Sequence, residues 1–122
     1  MCLRDQLETI LACDHSLTAI KTGMLGSPAI VRLVREIIDA QPGARTVIDP
    51  VLVCKGTDEV LNPDTADAIR EHLLLAATMA TPNLFEAGVM SGLGILKTID
   101  DLKAACGAIH ALSARKQASG CV

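Results

Sequence analysis

Asp49 closes the run Thr46, Val47, Ile48 and is followed at once by Pro50. Three β-favouring residues lead into a carboxylate, and a proline then ends the ladder. A carboxylate at the end of a buried strand costs too much desolvation to be filler, unless a cation or hydrogen-bond donors meet it. In an open α/β sheet that end of the strand is also where ligands bind. A short apolar step then leads to Cys54, Lys55 and Gly56. This combination predicts that Asp49 looks into a phosphate and magnesium site, with Cys54–Glu59 as a mobile flap beside it. The alternative is an Asx-type turn before Pro50, and the local residues weigh the two equally.

A second group is Asn83 and Glu86, three apart on the turn from a strand into a helix. That spacing places an amide and a carboxylate on one helical face. They suit a magnesium ion, which prefers oxygen ligands and keeps several waters. Taken alone, the pair reads first as a capping box, with Asn83 as N-cap. Asp49 on the neighbouring strand end shifts the balance towards a site. Lys55 is either a solvated loop charge or a phosphate partner. Cys54 is a small apolar filler or, with Lys55 lowering its pKa, a nucleophile. Lys21 sits inside a strand and must snorkel or find a partner. The turn at Gly23 and Met24 can offer backbone N–H groups and a thioether to a flat ligand. His15, His72 and His110 receive no role. The sequence has no Walker-type G-x-x-x-x-G-K and no G-x-G-x-x-G, so a nucleotide site must be of another kind.

The elements that position these groups follow from periodicity and caps. Leu3, Leu7, Ile10 and Leu11 mark one face of a first helix. A strand is predicted over Thr18–Met24. Ser27 and Pro28 then open a helix whose apolar residues are Ile30, Val31, Val34, Ile37 and Ile38, and Gln41, Pro42 and Gly43 end it. The strand at Thr46 follows. Asn62 and Pro63 repeat the cap-plus-proline start, with Ala66, Ile69, Leu73 and Leu74 inward. Thr78–Thr81 is the third strand, Leu84–Ser91 a short helix, and Thr98 with Asp101 caps the last helix. The order α-β-α-β-α-β-α-α calls for a parallel sheet with right-handed crossovers.

A chain of 122 residues allows one domain. Half the residues are apolar yet Phe85 is the single aromatic, so the core must be aliphatic. A net charge of -3 with scattered basic residues argues against nucleic acid as a partner. The 5 cysteines show no metal-type spacing and read as reduced thiols of a cytoplasmic protein. No signal-like stretch opens the chain, and Leu73–Ala80 is too short to span a membrane. Three strands leave two unpaired sheet edges, and residues 113–122 are expected to be an irregular or non-native tail.

Three stretches in register, KTGMLGS (21–27), VIDPVLVCKG (47–56) and TPNLFEA (81–87), resemble the ribokinase superfamily. Within it they are most similar to the pyridoxine/pyridoxal kinases and hydroxymethylpyrimidine (phosphate) kinases, over about Leu7 to Leu112. The resemblance implies an incomplete three-layer ribokinase-like fold, with parallel strands and flanking helices. It implies a single partial domain over residues 1–122, lacking the N-terminal substrate and lid strands and the C-terminal ATP-binding part. It also implies ATP-dependent phosphorylation of a hydroxymethyl group on a small heterocycle, in vitamin B6 salvage or thiamine biosynthesis, with ATP and Mg2+ as cofactors. By that likeness Asn83 and Glu86 organise the metal and its waters. Asp49 lies near metal and transferring phosphate, Lys55 and Asn83 face the phosphates, and Gly23 and Met24 border the ring. Cys54 is expected to trap the aldehyde if the substrate is pyridoxal. The family's Gly-rich segment with the catalytic base has no counterpart here, so the 122-residue chain is expected to turn over little or not at all. The rival expectations are a non-catalytic α/β fragment that pairs its edges with another chain, a homodimer being one such assembly, and a phosphate- or magnesium-binding module.

Overall fold

The structure, a computed structural model, describes residues 2–13, 16–52 and 62–119, with side chains as far as Ser113. The expected flap with Cys54 and Lys55 lies outside these residues, as does His15. Strands β1 (Ala19–Thr22), β2 (Arg45–Ile48) and β3 (Met79–Ala80) form one parallel sheet in the order β1-β2-β3. Thr22 stands opposite Ile48, and Ile48 opposite Ala80. All three strands fall where the sequence places them; β1 and β3 are shorter than predicted, and β2 begins one residue earlier, at Arg45. Helices α1 (Leu3–Ala12), α2 (Pro28–Ala40), α3 (Pro63–Ala68), α4 (Leu84–Ser91) and α5 (Ile99–Ser119) complete the order.

Local chemistry sets these boundaries. The Ser27 hydroxyl accepts the Ile30 N–H at 3.3 Å and Pro28 occupies the first turn of α2. Asn62 Oδ1 caps α3 through the Asp64 N–H at 3.0 Å. After Ala68 the helix widens into a π-helical turn (Ile69–Leu73) and then tightens into a 3-10 turn (Leu74–Ala76). The change of pitch lets Ile69, Leu73 and Leu74 all turn inward, each fully buried. At the start of α5, Asp101 Oδ2 accepts the N–H groups of Lys97 and Thr98 at 2.9 Å each, and Thr98 Oγ1 accepts the Asp101 N–H at 3.1 Å. These bonds, the one from Lys97 foremost, hold the Asp101 carboxyl below its ordinary value. Helix α5 then continues through Ser119, across most of the segment expected to be an irregular tail.

The core joins Val31 and Ile38 of α2, Ile48 of β2, Ile69, Leu73 and Leu74, and Met90 of α4, with Ile20, Ala80, Ile109 and Leu112 packed against it. Ile20, Thr22, Thr46, Ile48 and Ala80 therefore share the covered face of the sheet. Sequential strands joined by crossovers of one hand put their helices on one side, which is what these contacts show. The other face carries Ala19, Lys21, Arg45, Val47 and Met79; Met79 is 59% exposed. Lys21 is exposed on this face, so its charge stays in water.

Helix α1 differs from expectation. Its apolar stripe forms, yet the helix buries no residue, and Ile10 is 55% exposed. It is tied to α2 through Arg4 and Glu36 at 3.1 Å, an exposed ion pair that brings no apolar surface over the stripe. Cys2, Cys13 and Cys106 are free, exposed thiols. Among the described residues no helix is long and apolar enough to cross a membrane.

Candidate active site

The strand order brings the predicted groups to one rim. Asp49 follows β2 directly, and its N–H donates to the Thr22 carbonyl at 3.4 Å, continuing the β1–β2 ladder. Its carbonyl accepts the Val51 N–H at 2.9 Å, so the turn around Pro50 is made by backbone. The Asx-type turn weighed for Asp49 does not form, and among the described residues its carboxylate has no hydrogen-bond or ion-pair partner. The side chain is half-buried. A carboxylate held in this way is short of compensation, and a cation or donor from a ligand would supply it.

Asn83 follows β3, whose end is fixed by the Thr81 N–H donating to the Ile48 carbonyl at 3.0 Å. Asn83 Oδ1 accepts the Glu86 N–H and Glu86 Oε2 accepts the Asn83 N–H, both at 2.8 Å. The reciprocal capping box is therefore real. Glu86 goes further. Its Oε1 accepts the Leu52 N–H at 3.4 Å, and the residue is 4% exposed. The carboxylate thus staples the loop after β2 to the first turn of α4. Two backbone donors offset the burial of its charge. This staple fixes Asp49, Asn83 and Glu86 on the same rim, since Leu52 lies three residues beyond Asp49.

Gly23 and Met24 leave the same rim at the end of β1. A Cβ built at Gly23 would meet open space, and Met24 is 52% exposed. Neither is required for packing among the described residues. Both face solvent beside the strand ends, where a ligand would approach. Cys54 and Lys55 lie outside the described residues.

A magnesium ion fits this chemistry in a limited way. Among the described residues no three His, Cys, Asp or Glu side chains cluster to hold a metal. Magnesium, however, binds through one or two carboxylates plus substrate phosphates and keeps its waters. Asp49, whose carboxylate has no partner among the described residues, suits that role. Glu86 and Asn83 already spend oxygen lone pairs on the capping box, which suits them to orient water rather than to ligate directly.

Three features were not foreseen from the sequence. One is the Glu86 bond to Leu52, which no local pattern announces. Another is Gly88: a Cβ there would lie 1.9 Å from the Gly94 carbonyl oxygen, which accepts no side chain in its place. Gly88's own carbonyl accepts the Gly94 N–H at 3.1 Å, so the loop after α4 folds back onto the helix. A glycine inside a helix was the available signal. The third is Thr22, whose hydroxyl is buried and has no hydrogen-bond partner among the described residues. A groove of about 770 Å³ lies elsewhere, along β3 between the end of α2 and α5, and none of the predicted site residues line it.

The profile of the phosphomethylpyrimidine kinase family matches residues 1–117. The chain is 48% identical over 113 residues to the pyridoxine kinase of Bacillus subtilis (strain 168), covering 93% of this chain and 41% of that protein. It is 38% identical over 102 residues to the hydroxymethylpyrimidine/phosphomethylpyrimidine kinase of Streptomyces coelicolor, covering 84% of this chain and 37% of the relative. Among solved structures, the pyridoxal kinase from Staphylococcus aureus in complex with AMP-PCP and pyridoxal superposes with a TM-score of 0.76 at 42% identity. That match covers 88% of this chain and 37% of the other. The chain therefore spans well under half the length of the proteins it matches.

Proposed function

Because this chain belongs to the phosphomethylpyrimidine kinase family, we propose that it forms part of the catalytic site of an ATP-dependent kinase acting on the hydroxymethyl group of pyridoxine or pyridoxal. The observation that carries the proposal is the half-buried Asp49 carboxylate, unpartnered among the described residues and held on one rim with the Asn83–Glu86 box.

Phosphoryl transfer needs positioning and charge neutralisation more than covalent help from the protein. Asp49 sits where a magnesium ion and the transferring phosphate would meet. Glu86 locks the loop after Asp49 through Leu52, so the carboxylate is placed before substrate arrives. Among the described residues only the Oδ1 of Asn83 is used, by the cap, so its amide nitrogen can donate to a phosphate oxygen. Asp49 would hold a magnesium ion, with Asn83 and Glu86 orienting its waters, and the ion would supply positive charge against the charge developing on the phosphate. Gly23 and Met24 would border the heterocycle, and Lys55 would approach the phosphates. With pyridoxal, the Cys54 thiol would add to the aldehyde: an S–C bond forms and the thiol proton passes to the carbonyl oxygen, giving a reversible hemithioacetal.

The family description favours a second substrate, a hydroxymethylpyrimidine or its phosphate, on the same machinery. A chimera tests both. Residues 1–113 replace the matching region of the Bacillus subtilis pyridoxine kinase, and ADP formation is followed with each heterocycle. Turnover that requires pyridoxal or pyridoxine is expected. Asp49→Asn in the chimera should lower kcat by roughly a hundredfold, the scale of losing one electrostatic group at a reacting centre. A folded chimera that is inactive with every heterocycle, or an Asp49→Asn form as active as its parent, would overturn the proposal. The 122-residue chain alone is expected to show no measurable turnover.

A further inference from the structure

The sheet face turned away from the core carries a line of charge that ends at the rim. Lys21 pairs with Val47 and Ala19 with Arg45, so Arg45, Val47 and Lys21 share that face. The Arg45 N–H donates to the Thr18 carbonyl at 3.0 Å and the Asp49 N–H to the Thr22 carbonyl at 3.4 Å, the same ladder continued past the end of β2. Asp49 therefore keeps the alternation of the strand, and its side chain leaves on the face of Arg45, Val47 and Lys21.

Lys21 stands between two charged neighbours. Strands lie about 4.8 Å apart and each residue advances about 3.3 Å, which puts the Cα atoms of Arg45 and Asp49 both roughly 8 Å from that of Lys21. An extended lysine and an aspartate cover that span between them. A cation behind and an anion ahead bias the flexible Lys21 stem towards the rim. Among the described residues neither Lys21 nor Asp49 has an ion-pair partner. An exposed ammonium and carboxylate gain little from pairing in water, so the Lys21 charge stays solvated. A phosphate beside Asp49 carries more charge and several acceptor oxygens, and rewards the same reach far better.

We propose that Lys21 is a further residue of the kinase site: its ammonium reaches along the sheet face to the rim and donates to an oxygen of the phosphate that Asp49 faces. The inference rests on the kinase reading and adds a cation of the protein to it. Phosphoryl transfer spreads charge over the phosphate oxygens, and an ammonium already within reach offsets it. Lysine acts here as a point charge, so arginine can stand in for it.

The chimera carrying residues 1–113 provides the test. Lys21→Met is expected to weaken AMP-PCP binding in the presence of magnesium by about tenfold or more, the scale of one hydrogen bond to a charged group, and to lower kcat as well. Pyridoxal affinity should stay within about twofold of the parent, whereas damage to the fold would move both ligands together. Lys21→Arg, which keeps the charge, should bind AMP-PCP within about threefold of the parent. Arg45→Met removes a cation of the same face farther from the rim and should leave both affinities unchanged. AMP-PCP binding by Lys21→Met equal to the parent's would overturn the inference, as would an equal loss of pyridoxal affinity. Weakening of AMP-PCP binding to the same degree by Arg45→Met would also overturn it, by reducing the effect to net charge. Asp49→Asn separates the two readings. If it is impaired while Lys21→Met matches the parent, this inference alone falls; if both match the parent, the kinase reading falls with it.

Discussion

Replacing Glu86 by Gln removes a charge without changing volume, so its cost isolates the staple between α4 and the loop after β2. The carboxylate now serves two backbone donors, Asn83 N–H at 2.8 Å and Leu52 N–H at 3.4 Å, from a site that is 4% exposed. Glutamine offers one acceptor oxygen, and the shorter bond to Asn83 will claim it. Its amide nitrogen then faces the Leu52 N–H, donor against donor. A hydrogen bond to a charged group is worth roughly 1.5–3 kcal/mol, and an orphaned buried donor costs about 1–3 kcal/mol. The long Leu52 bond belongs at the lower end, so a loss of about 2 kcal/mol is expected. The assay is the denaturation midpoint at unchanged slope, together with amide exchange at Leu52 and Asn83. Leu52 should lose protection beyond the global change, and Asn83 should not. A variant as stable as the parent, with Leu52 equally protected, would show that Glu86 does not carry the loop.

Other perturbations test other parts of the structure. Gly88→Ala should destabilise by about 1–3 kcal/mol despite alanine's better helix propensity, because the new methyl group meets the Gly94 backbone; a denaturation midpoint decides it. Thr22→Val removes a buried unpaired hydroxyl and should be neutral or stabilising by up to about 1 kcal/mol, read the same way. Asp101 has its folded pKa lowered below the ordinary 3.8, so its contribution to α5 is complete above that value and is lost as pH falls through the lowered pKa. A carboxyl NMR titration should show this midpoint, and Thr98→Ala should move it back upward. Cys54→Ala in the chimera should weaken pyridoxal binding while leaving pyridoxine, which has no aldehyde, unaffected; equal affinities for pyridoxal with and without the thiol would remove the trapping role.

The features legible in the sequence are those with a local signal. Ser27 with Pro28, Asn62 with Pro63, Asn83 with Glu86 and Thr98 with Asp101 each announce a helix start within four residues, and each forms its predicted cap. The rim that gathers Asp49, Asn83 and Glu86 was also legible, because parallel strands in chain order must align their ends. What stayed hidden depends on residues far apart in sequence. The Glu86 bond to Leu52 spans 34 positions and changes a common cap into a tertiary link. The amphipathic period of α1 predicts a buried face, but period says nothing of what lies opposite it. The pitch change after Ala68 likewise answers to the core, not to propensity.

The strand order carries a consequence for how the protein comes into being. Each strand pairs with the one made just before it, so the sheet widens in the same sequence in which a ribosome would release it. Among the described strands each one's next partner is the strand made directly after it, which limits the time that β1 and β2 spend as bare ribbons. Every step still needs a helical detour before the next pairing, so growth should proceed in discrete increments, one crossover at a time.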